Sequence, residues 1–137
     1  MWAKIGKIWY TTNNMGKKKI LVIEDDKFFQ TLVTKKLIGE GYEVSAASDS
    51  NEALAILEKE KPDLIILDLI LPLLDGFEIL SIVKKGEKTK DIPVIILSNL
   101  GQKEEVERAI ALGANDFMIK VNFTPEEIAG KIKSFLK

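Results

Sequence analysis

Acidic, basic and hydroxyl side chains follow directly after four apolar segments of the sequence. The apolar segments are Ile20–Ile23, Leu64–Leu67, Val94–Leu97 and Phe117–Ile119. The side chains that follow them are Glu24 and Asp25, then Asp68, then Ser98, then Lys120. If the four segments are neighbouring parallel strands, their carboxyl ends share one edge of a sheet, and these side chains form one pocket.

The chemistry of such a pocket would centre on phosphate and a hard cation. Glu24, Asp25 and Asp68 would repel one another unless a cation neutralises them, and carboxylate oxygens suit Mg²⁺. The Asp68 carboxylate could also attack phosphorus and form an acyl phosphate. Lys120 offers a point charge to phosphoryl oxygens, and Ser98 offers a hydroxyl hydrogen bond.

Amphipathic segments separate the apolar ones and predict helices. The predicted helices are Lys27–Ile38, a helix capped by Asp49, Gly76–Lys85, Lys103–Leu112, and a helix capped by Thr124. In the fourth helix we expect Val106, Ala109 and Ile110 to face inward. Tyr42–Ala47 predicts a further strand, partly polar and therefore at a sheet edge. Asp26 and Asp75 are interpreted as helix N-caps.

Strict alternation of five strands and five helices predicts an α/β fold. The expected architecture is a doubly wound, five-stranded parallel sheet, flavodoxin-like, with strand order 2-1-3-4-5 and helices on both faces in three αβα layers. Near-continuous apolar strands agree with burial on both sides.

Composition excludes several classes of function. The 137 residues fit one domain, and 20 basic against 21 acidic residues leave a net charge of −1, so no overall field favours nucleic acid or anionic lipid. There is no cysteine and no histidine, which excludes thiolate and imidazole chemistry by the chain itself. With no membrane span or signal segment in the sequence, we expect a cytoplasmic protein.

The composition changes before Lys17. Residues 1–16 are predicted to be an N-terminal extension outside the core, with the domain proper over 17–137 and Met15-Gly16 as its natural beginning. Trp2, Ile5 and Trp9 have helical spacing, which allows a short amphipathic helix there.

Four stretches of the sequence together resemble response-regulator receiver domains of two-component signalling, the CheY-like superfamily. They are Val22–Asp26, Asp68–Gly76, Val94–Ser98 and Gly113–Lys120, and the resemblance covers Lys19 to Lys137. Each stretch alone is weak, but four in the right order at strand ends are highly specific. The chain ends after the last helix, so the expectation is either a stand-alone receiver that acts by protein contact or a fragment of a larger regulator.

The resemblance implies a role for each residue. Asp68 would accept the phosphoryl group. Asp25, Asp68 and the backbone carbonyl of Ile70 would bind Mg²⁺, with Glu24 acting through water. Lys120 would pair with the phosphoryl group, and Ser98 with Phe117 would form the switch pair.

The resemblance also implies partners and excludes catalytic turnover. A histidine kinase or phosphotransfer protein would be the donor, and a downstream protein would be the target of the face formed by the fourth helix, the fifth strand and the last helix. A phosphorylation-dependent homodimer is allowed, no direct DNA binding is expected, and the chain is not expected to be an enzyme.

This sequence departs from the family at three places. Val121 follows Lys120 where the family usually has proline after a cis peptide bond, so the Lys120–Val121 bond is open between cis and trans. Asn99 directly follows Ser98, at a position where the family usually has a small residue. Ile70 and Leu100 stand where other members often carry polar groups that orient the attacking water, which predicts slow self-dephosphorylation.

Two other hypotheses belong to different classes of function. A phosphorylation-independent interaction module would keep the fold without the chemistry; the intact acids argue against it, while Asn99 and Val121 favour it. A Mg²⁺-dependent phosphohydrolase with an Asp nucleophile usually has a second Asp two residues later, and Ile70 occupies that position.

Overall fold

The computed structural model describes residues 2–5, 8–11 and 16–136. Seven strands are described: β1 Trp2–Ile5, β2 Ile8–Thr11, β3 Lys19–Ile23, β4 Glu43–Ala47, β5 Leu64–Leu67, β6 Val94–Ser98 and β7 Asp116–Ile119. The helices described are α1 Lys27–Gly39, α2 Ser50–Lys59, α3 Gly76–Lys85, α4 Lys103–Ala111 and α5 Pro125–Phe135. A 3-10 turn spans Lys120–Asn122. No described helix has the length and apolar character needed to cross a membrane.

Strands β3 to β7 form one parallel sheet in the order β4-β3-β5-β6-β7. Counted from β3, this is the predicted order 2-1-3-4-5, and β4 is at an edge as expected. The doubly wound fold class is therefore confirmed. Predicted element ends differ from the observed ones by a single residue or not at all.

Helices cover the sheet on both faces, which gives the three predicted layers. On one face, Ile23, Ile65 and Leu67 pack with residues of α2, α3 and α4 such as Ala53 and Leu80. On the other face, the core contains α1 and α5 residues together with alternate strand residues: Ile20, Val22, Ile66, Leu97, Val33, Leu37, Ile128 and Ile132. A strand residue that points to one face is followed by one that points to the other.

Side-chain caps begin the helices where the sequence predicted them. Asp26 Oδ1 accepts the Phe29 N–H at 3.2 Å, and Asp75 Oδ1 accepts the Glu78 N–H at 3.0 Å. Thr124 begins α5 with a reciprocal capping box. Ile110 was wrongly expected to face inward: it is 48% exposed, because the buried face of α4 centres on Ala109 and Ile110 is about 100° further round.

The segment before Lys17 contains strands rather than a helix. Strands β1 and β2 pair antiparallel, with Trp2 opposite Thr11 and Ile5 opposite Ile8. The suggested amphipathic helix was wrong, because isolated turns of helix are unstable while Ile8-Trp9-Tyr10-Thr11 consists of residues that favour strands. The predicted boundary near Met15-Gly16 and the final Lys137 involve positions outside the described residues.

Candidate functional site

The register of the parallel sheet brings Glu24 beside Asp68. Ile23 pairs with Leu67, so the residues that follow these strand ends lie at the same level of the sheet. The Asp68 N–H donates to the Ile23 carbonyl at 3.0 Å and continues the ladder to the sheet edge. The predicted convergence of these strand ends is therefore present in the structure.

Glu24, Asp25 and Asp68 form an acidic cluster. One carboxylate oxygen from each lies within 4.8 Å of the others. Glu24 and Asp68 are 3% and 4% exposed, while Asp25 is open to solvent. Three converging carboxylates with one solvent-facing member match the hard oxygen ligands and retained water that Mg²⁺ requires, so the residues fit this ion.

Lys120 reaches into the acidic cluster from the end of β7. Its Nζ lies 2.8 Å from Asp68 Oδ2 and forms an ion pair with Glu24 Oε1 as well. The Lys120 side chain is only 12% exposed. Burial lowers the pKa of Lys120, but its hydrogen bonds and charge contacts with Asp68 and Glu24 outweigh burial and raise it. The ammonium is therefore charged, and the cluster stays net negative.

Burial has the opposite effect on Glu24. It raises the pKa of Glu24 from 4.5 to about 7, against the lowering influence of hydrogen bonds from Lys120 and from the Asp26 N–H. The charge of Asp68 adds to the rise. Removal of the Glu24 carboxylate from water thus outweighs the hydrogen bonds that lower its pKa.

The loop after β5 fixes the Asp68 side chain. The Ile70 N–H donates to Asp68 Oδ1 at 3.1 Å, and the Ile70 side chain is 53% exposed. Gly76 closes the loop: its N–H donates to the Leu69 carbonyl at 2.9 Å. A Cβ on Gly76 would collide with the Asp68 carbonyl oxygen and lie 2.5 Å from Leu69 Cα. Only glycine permits this close approach.

Gln30 is a residue of the site that sequence reasoning missed. It is 8% exposed, and its Nε2 donates to the carbonyls of Glu24 at 2.8 Å and Ala47 at 3.2 Å. A third contact, 3.3 Å long, reaches Ser48 Oγ. Gln30 thereby ties α1 to the ends of two strands. A polar helix residue gives no sign of this in sequence, since most are solvated.

Ser98 and Phe117 lie on the β6 and β7 side of the site. Ser98 is fully buried, and its Oγ accepts the Leu100 N–H at 3.3 Å. Phe117 pairs with Ile96 in the sheet, is half-buried and packs against the core on the α2–α4 face.

The Lys120–Val121 bond, which the sequence left open between cis and trans, is trans, and Lys120 still reaches Asp68.

A parallel sheet in this order, with acids and a lysine at its carboxyl edge, defines a receiver domain. A family model described as "Response regulator receiver domain" matches residues 20–133. The chain belongs to this family, which confirms the resemblance first drawn from its motifs.

Individual relatives agree with this assignment. The chain is 38% identical over 120 residues to the alkaline phosphatase synthesis transcriptional regulatory protein PhoP of Bacillus subtilis, covering 88% of this chain and 49% of PhoP. It is similar to the chemotaxis response regulator CheY4 of Vibrio cholerae, with a TM-score of 0.81, 30% identity, and coverage of 87% and 98%. A structure of the phosphorylated cyanobacterial phytochrome response regulator RcpA gives a TM-score of 0.81, 30% identity, and coverage of 89% and 96%.

These relatives are regulators and receiver domains, not enzymes, which confirms the expectation that the chain is no enzyme. The chain spans about half the length of the curated relatives it matches.

Proposed function

We propose that this chain is the phosphoryl acceptor of a two-component phosphorelay, with Asp68 as the acceptor residue. A carboxylate oxygen of Asp68 attacks the phosphorus of a phosphohistidine on a histidine kinase or phosphotransfer protein. The P–N bond breaks, its electron pair stays on the imidazole nitrogen, and Asp68 becomes an acyl phosphate. The observation that carries the proposal is the contact of Lys120 Nζ with Asp68 Oδ2, 2.8 Å long, inside the acidic cluster.

Mg²⁺ is the proposed cofactor. Asp25, Asp68 and the backbone carbonyl of Ile70 would hold it, with Glu24 acting through a water molecule. When bound, the ion neutralises charge between the acceptor carboxylate and the phosphoryl oxygens. The solvent-facing position of Asp25 beside two buried acids supports this assignment, because it leaves room for the waters that Mg²⁺ keeps.

Lys120 serves the transfer as a cation beside the acceptor. In the unphosphorylated state it is paired with two carboxylates, and after transfer it pairs with a phosphoryl oxygen. Ser98 donates its hydroxyl to another phosphoryl oxygen, and Phe117 turns inward in response. The hydroxyl of Ser98 is free for this exchange, since its contact within the described residues is a single weak acceptor bond of 3.3 Å.

The readout surface is the face of α4, β7 and α5, which regulates a downstream protein or forms a phosphorylation-dependent homodimer. An ion pair 2.8 Å long between Lys131 of α5 and Asp116 of β7 joins two elements of this face. A shift of Phe117, the neighbour of Asp116, therefore reaches this surface directly. The phosphoryl charge biases two conformations of the face by its different contacts in each.

The remaining parts of the proposal concern boundaries and location. Residues 17–137 form the receiver, residues 1–16 lie outside its core, and the protein acts in the cytoplasm without contacting DNA itself through this domain. PhoP, a transcriptional regulatory protein, is about twice as long as the stretch that it shares with this chain. We assign any DNA binding by such a longer protein to parts other than the receiver.

The test is phosphorylation in the absence of any kinase. The chain is incubated with Mg²⁺ and acetyl phosphate, and its intact mass is measured with Asp68→Asn as the control. One phosphoryl adduct on the wild type, absent from Asp68→Asn, supports the proposal. No adduct on either protein contradicts it and favours the phosphorylation-independent interaction module.

A further inference from the structure

Lys120 makes one contact that its paired carboxylates do not explain. Its Nζ lies over the ring of Phe29, 4.7 Å from the ring centroid. The face of an aromatic ring carries partial negative charge and attracts a cation at this distance. The ammonium therefore has acidic oxygens on one side and an aromatic face on another.

Phe29 is held in place independently of Lys120. Its N–H donates to Asp26 Oδ1 at 3.2 Å in the first turn of α1, and its half-buried ring packs against the core between α1, α5 and the sheet. The neighbouring Phe28 is 78% exposed. Two adjacent phenylalanines thus occupy opposite environments, one supporting the site and one facing solvent.

The chain after Lys120 gives the ammonium little support. Lys120 begins a 3-10 turn of three residues, in which Val121 is 79% exposed. The contacts described around Nζ are Glu24, Asp68 and Phe29. The carboxylate contacts must change when a phosphoryl group arrives on Asp68, whereas the contact with an aromatic face does not compete for phosphoryl oxygens.

We propose that Phe29 is a positioning residue that holds the Lys120 ammonium beside Asp68 through a cation–π contact, so that the cation stays in place while its acceptor changes from carboxylate to phosphoryl oxygen. The inference rests on the proposed function, because it assigns Phe29 a role in phosphoryl transfer to Asp68.

The test replaces Phe29 with 4-fluoro-, 3,5-difluoro- and 3,4,5-trifluorophenylalanine, which weaken the ring's negative face with little change of shape. The rate of Asp68 phosphorylation by acetyl phosphate with Mg²⁺ is followed by intact mass. We expect a stepwise fall along the series, a loss of about threefold to tenfold in Phe29→Leu, and retention in Phe29→Tyr. The same fluorinated residues at Phe28 are the matched control and should leave the rate unchanged.

A second measurement reports the contact without phosphorylation. Lys120 Nζ lies over the ring, so we expect the ring to shield the protons on the adjoining Cε. Phe29→Leu should then move their NMR signals downfield, and Phe28→Leu should not. Equal phosphorylation rates across the fluorinated series, with the wild type accepting a phosphoryl group, would overturn the role of Phe29 alone. Failure of the wild type to form any adduct would overturn the proposed function, and this inference with it.

Discussion

Substitution of Gly76 by alanine should damage the fold and the site together, because Gly76 lies against the backbone that carries Asp68. The new Cβ would collide with the Asp68 carbonyl oxygen, 2.5 Å from Leu69 Cα and 3.0 Å from the Asp68 carbonyl carbon. All three atoms belong to the backbone, so no side-chain rotation relieves the overlap.

The expected loss of folding stability has two contributions. Overpacking a closely packed position costs about 1–3 kcal/mol. Displacement of the loop also weakens the hydrogen bond from the Gly76 N–H to the Leu69 carbonyl, 2.9 Å long, which contributes about 1 kcal/mol. We therefore expect Gly76→Ala to lower the free energy of unfolding by about 2–4 kcal/mol.

Gly130→Ala is the matched control. Gly130 lies within α5, and a Cβ there would meet nothing within 4 Å. Alanine in a helix interior is favoured over glycine by about 1 kcal/mol, so this variant should be more stable than the wild type. The same substitution thus has opposite signs at the two positions.

Urea unfolding measures both variants, and acetyl phosphate labelling measures the effect on the site. A shift of the Asp68 backbone by a fraction of an ångström should slow phosphorylation of Gly76→Ala at least about tenfold. Gly76→Ala with a stability within about 0.5 kcal/mol of the wild type and an unchanged phosphorylation rate would refute the reasoning.

Three further predictions concern the loop after β5 and the acidic cluster. Leu73 has a φ of 72° and is 67% exposed, so Leu73→Gly should raise the free energy of unfolding by about 0.5–1 kcal/mol, measured by urea unfolding; a loss of stability would contradict the assigned strain. The exposed apolar side chain of Ile70 offers no group to orient an attacking water, so phosphorylated wild type should decay over minutes or longer and Ile70→Glu faster; wild-type decay within seconds, followed by intact mass, would exclude this. The pKa of Glu24 is raised from 4.5 to about 7 in the fold, so between these two pH values the Glu24 carboxyl is protonated in the metal-free native state and ionised in the unfolded chain. The free energy of unfolding should therefore fall as pH rises through that window. Thermal unfolding in EDTA should show a Tm lower by a few degrees at pH 8 than at pH 5, a dependence that Glu24→Gln removes; an equal dependence in both proteins would argue against Glu24 as its source.

The sequence predicted the main sheet well because its strands are short apolar runs bounded by strong local signals. Pro93 precedes β6, and Thr124 with Pro125 begins α5. The ends of these elements could therefore be predicted from the residues next to them. The positions of Glu24, Asp68 and Lys120 at one edge followed from the fold, since strand ends in a parallel sheet meet there.

The features that the sequence did not predict depend on how elements of the fold pack against one another. Position 76 must be glycine because the backbone of Asp68 and Leu69 lies against it, and Phe29 contacts Lys120, which directly follows the last strand. Gln30 is buried only because two strand ends present their carbonyls to it. The strands before Lys17 were missed because spacing of apolar residues alone does not separate a short helix from a hairpin.

Chemical mapping of the phosphorylated residue tests the central claim most directly. The chain is phosphorylated with acetyl phosphate and Mg²⁺, reduced with borohydride, digested, and analysed by peptide mass spectrometry. Borohydride converts an aspartyl phosphate to homoserine, so the account predicts homoserine at position 68 and intact aspartate at position 25. Reduction at Asp25 or Glu24 with Asp68 intact, or no reduced residue in a chain that carries a phosphoryl adduct, would contradict it.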